Sequence, residues 1–493
     1  MRIAFVSSEA VPFAKTGGLA DVSGALTKEL AGRGHEVALF LPRYTGVEDK
    51  AEGVTVVASN IAVAMGDRTE MLELSGVKAD GVQIYLVGND GFFRRPELYR
   101  DPETGKDWAD NDERFIFFSL AVLAACRHLN WIPELIHAND WQSALLPAYV
   151  NTLHEDDPVW AATRTLFTVH NIAYQGMFEA DTFGKLGLEP GLWYPGGPFE
   201  YWGKVNFLKL GLEFAESLST VSPRYAEEIA GSNEYGFGME GILSRRRGDL
   251  TGITNGIDYD IWNPETDPHI AARFSTGDPS GKLQCKEALR KEMELPPSAH
   301  PLIGIISRLA DQKGFDLIGE VSEALLSRDL QIVVLGTGDA KYHELFEALA
   351  ARYPEKLAVA LRFDNGLAHR IEAGSDMFLM PSRYEPCGLN QLYSLRYGTI
   401  PMVRTTGGLA DTVEPYTPTS GTGFQFETYA GADMLDMIDR ALATYRDAAA
   451  WSSLMKRAME AKFSWPAAAA RYEALYNQTR SKPKRAHAER NPA

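Results

Sequence analysis

Cysteine is scarce in this chain: Cys126, Cys285 and Cys387 are its only three in 493 residues. They form no close pair and no metal-ligand spacing, which excludes a disulfide framework and a cysteine-built zinc site and fits a reducing compartment. Long apolar runs are missing as well. The longest, Phe115 to Cys126, is too short for a bilayer and reads as a buried helix, so no membrane partner is expected. Positive charge is in deficit, with a balance of −17. That excludes a broad nucleic-acid or acidic-membrane footprint and leaves room for a local basic pocket for a small anion. The Gly-x-Gly-x-x-Gly dinucleotide fingerprint follows the first strand of neither half. Met1-Arg2 leads straight into a strand, with no segment readable as a signal or transit peptide, so the expectation is a cytoplasmic protein.

What is present is the composition of a globular enzyme, 45% hydrophobic and 23% charged. The length exceeds one ordinary core and implies two domains. Strand-like runs at Ile3–Val6, His35–Pro42, Val54–Ala64, Val82–Val87, Leu135–His137, Leu166–Val169 and Leu218–Val221 alternate with helical periodicity. Strands at Leu302–Ile306, Ile332–Leu335, Leu357–Leu361, Met377–Met380 and Ile400–Val403 repeat the alternation. The fold class is therefore α/β, with two doubly wound parallel sheets. The hinge is expected between Arg247 and Thr254, and the polar, basic stretch from Ser481 is expected to be disordered.

Chemistry concentrates where strands end. Lys15-Thr16-Gly17-Gly18-Leu19-Ala20-Asp21-Val22 joins the first strand to the first helix. Free amides and positive dipole charge at a helix start, beside a lysine, suit a phosphate, although such glycines also occur with no phosphate near. Gly407-Gly408-Leu409-Ala410-Asp411-Thr412 echoes the pattern after another strand, as though both lobes held one ligand. Asp140 and His170-Asn171 follow two buried strands, where open α/β sheets place their ligands. His170 is a base, a sugar ligand or a histidine satisfied by backbone. Arg308 and Lys313, after the first strand of the second half, either neutralise a diphosphate leaving group or point into solvent. Glu385 either binds sugar hydroxyls or simply complements a helix start. Cys387 is a thiolate of lowered pKa or a packed small side chain. Aromatic residues around Trp193 and Trp202 either stack on a glycan or pack their own loop.

Quoted in order, Lys-Thr-Gly-Gly-Leu-Ala-Asp-Val, Asn-Asp-Trp, Thr-Val-His-Asn-Ile-Ala-Tyr-Gln-Gly, Gly-Met-Glu-Gly-Ile-Leu, Asn-Gly-Ile-Asp, Ser-Arg-Leu…Gln-Lys-Gly, Glu-Pro-Cys-Gly-Leu and Thr-Gly-Gly-Leu-Ala-Asp-Thr strongly resemble bacterial glycogen synthases and plant starch synthases, from Met1 to about Tyr476. The resemblance implies a GT-B glycosyltransferase, two Rossmann-like domains facing a deep central cleft. It divides the chain into an N-terminal domain over 1–248, a C-terminal domain over 249–463, a crossover helix over 464–480 that returns to the first domain, and the tail over 481–493. It implies glucose transfer from ADP-glucose to the 4-hydroxyl of a glycogen or α-1,4-glucan primer, with retention and with neither metal nor cofactor. Carried over by motif, Lys15, Arg308 and Lys313 hold the donor phosphates, and His170 and Glu385 contact the glucose. Asp140 and Asn255 line the site, and Gly17 and Gly18 let the donor approach. Thr16, Asp21, Asn171, Phe363, Cys387, Gly388 and Leu389 complete the substrate-binding set.

Four positions depart from the family's pattern: Phe363 where Tyr is usual, Asn390 where Thr is usual, Arg94 where Asp is common and Glu97 where Gly is common. Two rival readings are a UDP-glucose-dependent retaining GT-B transferase and a non-catalytic two-lobed protein that binds a glucan or nucleotide sugar. The sequence carries no signal for an oligomeric state.

Overall fold

The computed structural model describes residues 1–485, and its chain forms two compact units. The first comprises residues 1–221 and 226–253 together with the C-terminal segment from Trp465; the second comprises 222–225 and 254–464.

The first unit holds strands β1 (Arg2–Val6), β2 (Glu36–Pro42), β3 (Thr55–Met65), β4 (Arg68–Ala79), β5 (Val82–Gly88), β6 (Leu135–Asn139), β7 (Arg164–Val169), β8 (Met177–Phe178), β9 (Val205–Asn206), β10 (Ser217–Thr220) and β11 (Leu250–Gly252). Nine of them form one sheet in the order β11-β10-β7-β6-β1-β2-β5-β4-β3. The run from β11 to β5 is parallel, and β4 and β3 add an antiparallel hairpin at one edge. The central strands are buried along nearly their whole length because helices cover both faces. One of these, Asn111–His128, is buried nearly all round, which is why its sequence carries so little amphipathic contrast. β4 was not foreseen as a strand. β11 pairs with β10 and so carries the first unit's sheet beyond the boundary expected at 248.

Helix Trp465–Ser481 belongs to this first unit. Tyr472 and Tyr476 are fully buried, and the Tyr476 hydroxyl hydrogen-bonds His137 Nδ1 at 2.8 Å. The expectation of disorder from Ser481 is corrected for its first five residues. Ser481 ends the helix, Lys482 Nζ donates to Asp249 Oδ1 at 2.7 Å and to the Glu216 carbonyl, and the Arg485 amide donates to Glu216 Oε1. The basic side chains find half-buried Asp249 as their acidic partner in the first unit, a pairing that composition alone does not reveal. Residues 486–493 lie outside the described part of the chain.

The second unit holds β12 (Leu302–Ile306), β13 (Gln331–Leu335), β14 (Leu357–Ala360), β15 (Met377–Met380), β16 (Ile400–Arg404) and β17 (Phe424–Phe426). They form an all-parallel sheet in the order β14-β13-β12-β15-β16-β17. Both sheets reverse their build order once, between β1 and β6 and between β12 and β15. Open α/β sheets bind ligands beyond the carboxyl ends of strands at such points.

Among the described residues no helix is long and apolar enough to cross a membrane.

Candidate active site

In the first unit, β1 and β6 deliver the residues at the switch point. Beyond β1 the chain loops through Glu9 to Lys15 and then opens helix Gly18–Gly32. Glu9 is buried, and its carboxylate accepts from the Thr16 amide (2.5 Å), the Thr16 hydroxyl (2.6 Å), the Gly17 amide (3.1 Å) and the Tyr99 hydroxyl (2.8 Å). Two amides expected to face a ligand are thus bonded to the chain's own anion. Lys15 Nζ pairs with Asp21 Oδ1 at 2.7 Å. Burial holds the Asp21 carboxyl above its usual range, with the Lys15 ammonium opposing it. Glu9 and Tyr99 went unnoticed in the sequence because they lie in irregular loops with no repeating pattern.

Beyond β6, Asp140 takes a left-handed backbone, φ 54°, which turns its carboxylate back to accept the His170 amide at 2.7 Å. The Asn171 amide also bonds this carboxylate. Burial nevertheless raises its pKa to about 7. His170, at the end of β7, is pushed down to about 3 by burial, so its ring is neutral at working pH. Asn139 fixes which tautomer it adopts. The Asn139 amide nitrogen donates to the carbonyls of Val6 and His137, leaving Oδ1 as an acceptor 2.9 Å from His170 Nε2. Nε2 therefore carries the hydrogen and Nδ1 keeps its lone pair. Asn171 Oδ1 caps a turn by accepting the Ala173 amide.

In the second unit the loops after β12 and β15 are locked together. Gly314 sits at φ 76°, and a Cβ there would fall 2.0 Å from the Pro381 carbonyl. The Arg383 amide donates to the Gln312 carbonyl at 2.8 Å. This contact carries Lys313 onto Glu385, with Nζ 2.9 and 2.7 Å from the two carboxylate oxygens. Ser382 donates to the same carboxylate at 2.9 Å. Arg308, exposed, stands on the loop after β12.

The remaining residues divide between contact and support. Cys387 is buried, and burial pushes its thiol up to about 12. It is a packed side chain rather than a nucleophile. Asn255 lies against that thiol, and its buried Oδ1 has no hydrogen-bond partner within the protein, an acceptor that a ligand hydroxyl would satisfy. Gly388 is needed for its conformation, φ 72°, with Gln391 where a Cβ would be. Leu389 starts helix Asn390–Arg396. Asn390 donates to the Ile306 carbonyl at 2.6 Å, tying this helix to the end of β12, so that departure from the family serves the fold. Phe363 is 80% exposed. The second Gly-Gly turn has a packing role: Cβ atoms on Gly407 and Gly408 would fall 2.0 Å from the Glu385 and Cys387 carbonyls, so these glycines let the Glu385 loop pack. Among the described residues no group of three or more His, Cys, Asp and Glu stands arranged to hold a metal ion.

Residues 2–245 match the family model "Starch synthase catalytic domain", and residues 287–457 match "Glycosyl transferases group 1". The glycogen synthase of Koribacter versatilis is 47% identical over 97% of this chain and 98% of its own. That of Anaeromyxobacter dehalogenans is 47% identical over 97% and 99%. Among solved structures, the catalytic domain of starch synthase IV from Arabidopsis thaliana bound to ADP and acarbose matches with a TM-score of 0.88 at 32% identity, covering 97% of this chain and 99% of that one. Sucrose-phosphate synthase from Thermosynechococcus elongatus, at 18% identity and a TM-score of 0.61, shares the fold. The chain belongs to the glycogen and starch synthase family of retaining GT-B glycosyltransferases.

Proposed function

We propose that this glycosyltransferase takes glucose from ADP-glucose and adds it to the non-reducing 4-hydroxyl of an α-1,4-glucan, releasing ADP without a metal ion. The observation that carries the reading is the Lys313–Glu385 pair at the switch point of the second sheet. It puts a cation for the departing diphosphate beside a carboxylate suited to sugar hydroxyls. The ADP-bound starch synthase of similar fold supports adenine as the base.

Arg308 and Lys313 neutralise the charge that grows on ADP as the C1–O bond breaks, which makes a strong general acid unnecessary. The acceptor O4 attacks C1 from the face the diphosphate leaves, and its proton passes to a departing phosphate oxygen. Neutral His170, anchored through Nε2–H, offers Nδ1 to a sugar hydroxyl and puts no positive charge beside an oxocarbenium-like centre. Asn255 Oδ1 accepts a further hydroxyl.

The test is release of ADP or UDP from purified protein given each donor, with and without glycogen. Glycogen-dependent release from ADP-glucose is expected, with Lys313→Ala lowering kcat by about 10²- to 10³-fold in a folded protein. Release from UDP-glucose alone overturns the donor assignment and leaves the chemistry. Binding of both donors without turnover overturns the reading.

A further inference from the structure

The second unit holds a stack of rings that the chemistry above does not use. Trp262 lies face to face with His369, centroids 3.8 Å apart and planes 4° from parallel, and with Tyr393, at 3.8 Å and 10°. His369 belongs to helix Asn365–Gly374 and Tyr393 to helix Asn390–Arg396. Each ring stands about one turn inside its helix. Just ahead of the first helix come Phe363 and Asp364, and the Asp364 carboxylate caps it by accepting the Leu367 amide at 2.9 Å. Just ahead of the second comes the loop from Glu385 to Leu389.

Polar groups fix the stack on one side. The buried Asp267 carboxylate accepts from His369 Nδ1 (2.8 Å), the Tyr397 hydroxyl (2.5 Å) and the His269 amide (2.8 Å). Burial works against its charge, yet those bonds outweigh it and hold the carboxyl below its ordinary range. Nδ1 of His369 therefore carries the hydrogen, and its buried Nε2 has no hydrogen-bond partner among the described residues. A second tie joins the same two helices, where the Ser394 hydroxyl donates to buried Glu372 at 2.7 Å. Aliphatic side chains would fill such a space at less cost; a buried carboxylate and an unsatisfied ring nitrogen give up stability and define one geometry. Trp262 and Asp267 lie on the segment that opens with Asn255, and this segment is itself anchored. The Ile257 amide donates to the Phe463 carbonyl (2.8 Å), the Phe463 amide to the Tyr259 hydroxyl (2.9 Å), and Arg396 to Asn263 Oδ1 (2.7 Å).

We infer that Trp262, with His369 and Asp267, is a positioning device for the nucleotide-sugar donor, setting the spacing between the Phe363 loop and the Glu385 loop so that one donor engages both. The inference rests on the reading above, in which the base lies at Phe363 and the diphosphate and glucose at Lys313 and Glu385. A ligand that bridges two loops gains both contacts in full only when their separation is fixed in advance. A ligand that reaches one loop is indifferent to that separation. ADP is of the first kind. AMP, which lacks the β-phosphate, is of the second.

The test measures ADP and AMP binding by calorimetry, together with initial rates, in Trp262→Leu, His369→Asn and the conservative Trp262→Phe. His369→Asn keeps a donor for Asp267 and removes the ring, so it probes the stack even where Trp262→Leu fails to fold. Expected in both are ADP binding about tenfold weaker, AMP binding changed by less than about twofold, an ADP-glucose KM about tenfold higher and an unchanged glycogen KM, with Trp262→Phe close to the parent. ADP and AMP weakened alike, or neither weakened, overturns the inference. A lower melting temperature with no split between the two nucleotides marks the stack as packing alone and overturns it too. Binding needs no turnover, so a parent that holds ADP but transfers no glucose refutes the reaction and not the spacing role. Where UDP binds in place of ADP, the same split between UDP and UMP is expected.

Discussion

The two Gly-Gly-Leu-Ala-Asp turns share a sequence and answer different demands. At Gly407-Gly408 the demand is steric: φ at Gly407 is 44°, and backbone carbonyls occupy the space of both missing side chains. At Gly17 the backbone is extended, φ −153°, and a Cβ would meet nothing within 4 Å. There the order comes from charge, through Glu9 on the amides and Lys15 on Asp21. One turn is held by shape and the other by electrostatics, and a repeated motif is no proof of a repeated function.

The contrast is broken most severely by Gly408→Ala. Its methyl would sit on the Cys387 backbone, so the expected loss exceeds about 4 kcal/mol in urea unfolding; a loss under 1 kcal/mol would end the steric argument. Next comes pH. The Asp140 pKa of about 7 lies above the ordinary 3.8, so between those values the folded protein keeps a proton that the unfolded chain has released. Stability present below that window is lost as pH rises through about 7. Asp140→Asn removes the penalty, and its stability relative to the parent should climb by a few kcal/mol from pH 5 to pH 8. A flat difference contradicts the burial of that carboxyl.

Glu9→Ala removes the acceptor of the Thr16 and Gly17 amides and of the Thr16 hydroxyl, and leaves the Tyr99 hydroxyl with Ser8 alone. About 2–3 kcal/mol of stability should go, together with a raised donor KM. No change in either would show that the loop does not depend on its carboxylate. Smallest is Gly17→Ala, within about 0.5 kcal/mol of the parent by thermal denaturation, in contrast to Gly408→Ala.

Much of this architecture was legible. The buried strands announced themselves as apolar runs, and the polar residues at their ends marked both switch points. β4 escaped because Arg68, Glu70, Glu73 and Lys78 interrupt its apolar positions, so it never reads as an apolar run. β17 is three residues long, too short for any period to show. In the site, Lys313, Glu385, His170 and Asp140 were visible by type and place. The roles of Glu9 and Asn139 were not, since each acts by orienting another group. The difference between Gly17 and Gly407 lies in what stands opposite them, and that is a property of the folded chain.

The return of the chain at Trp465 has a consequence for synthesis. The first unit's strands end with β11, yet its last helix is encoded after the whole of the second unit. At roughly 5–20 residues per second, about 210 residues must emerge in between, a delay of roughly 10–40 s. Through that interval the nascent sheet presents the face that Tyr472, Leu475 and Tyr476 later cover. The first unit therefore becomes complete only after the whole of the second unit has been made.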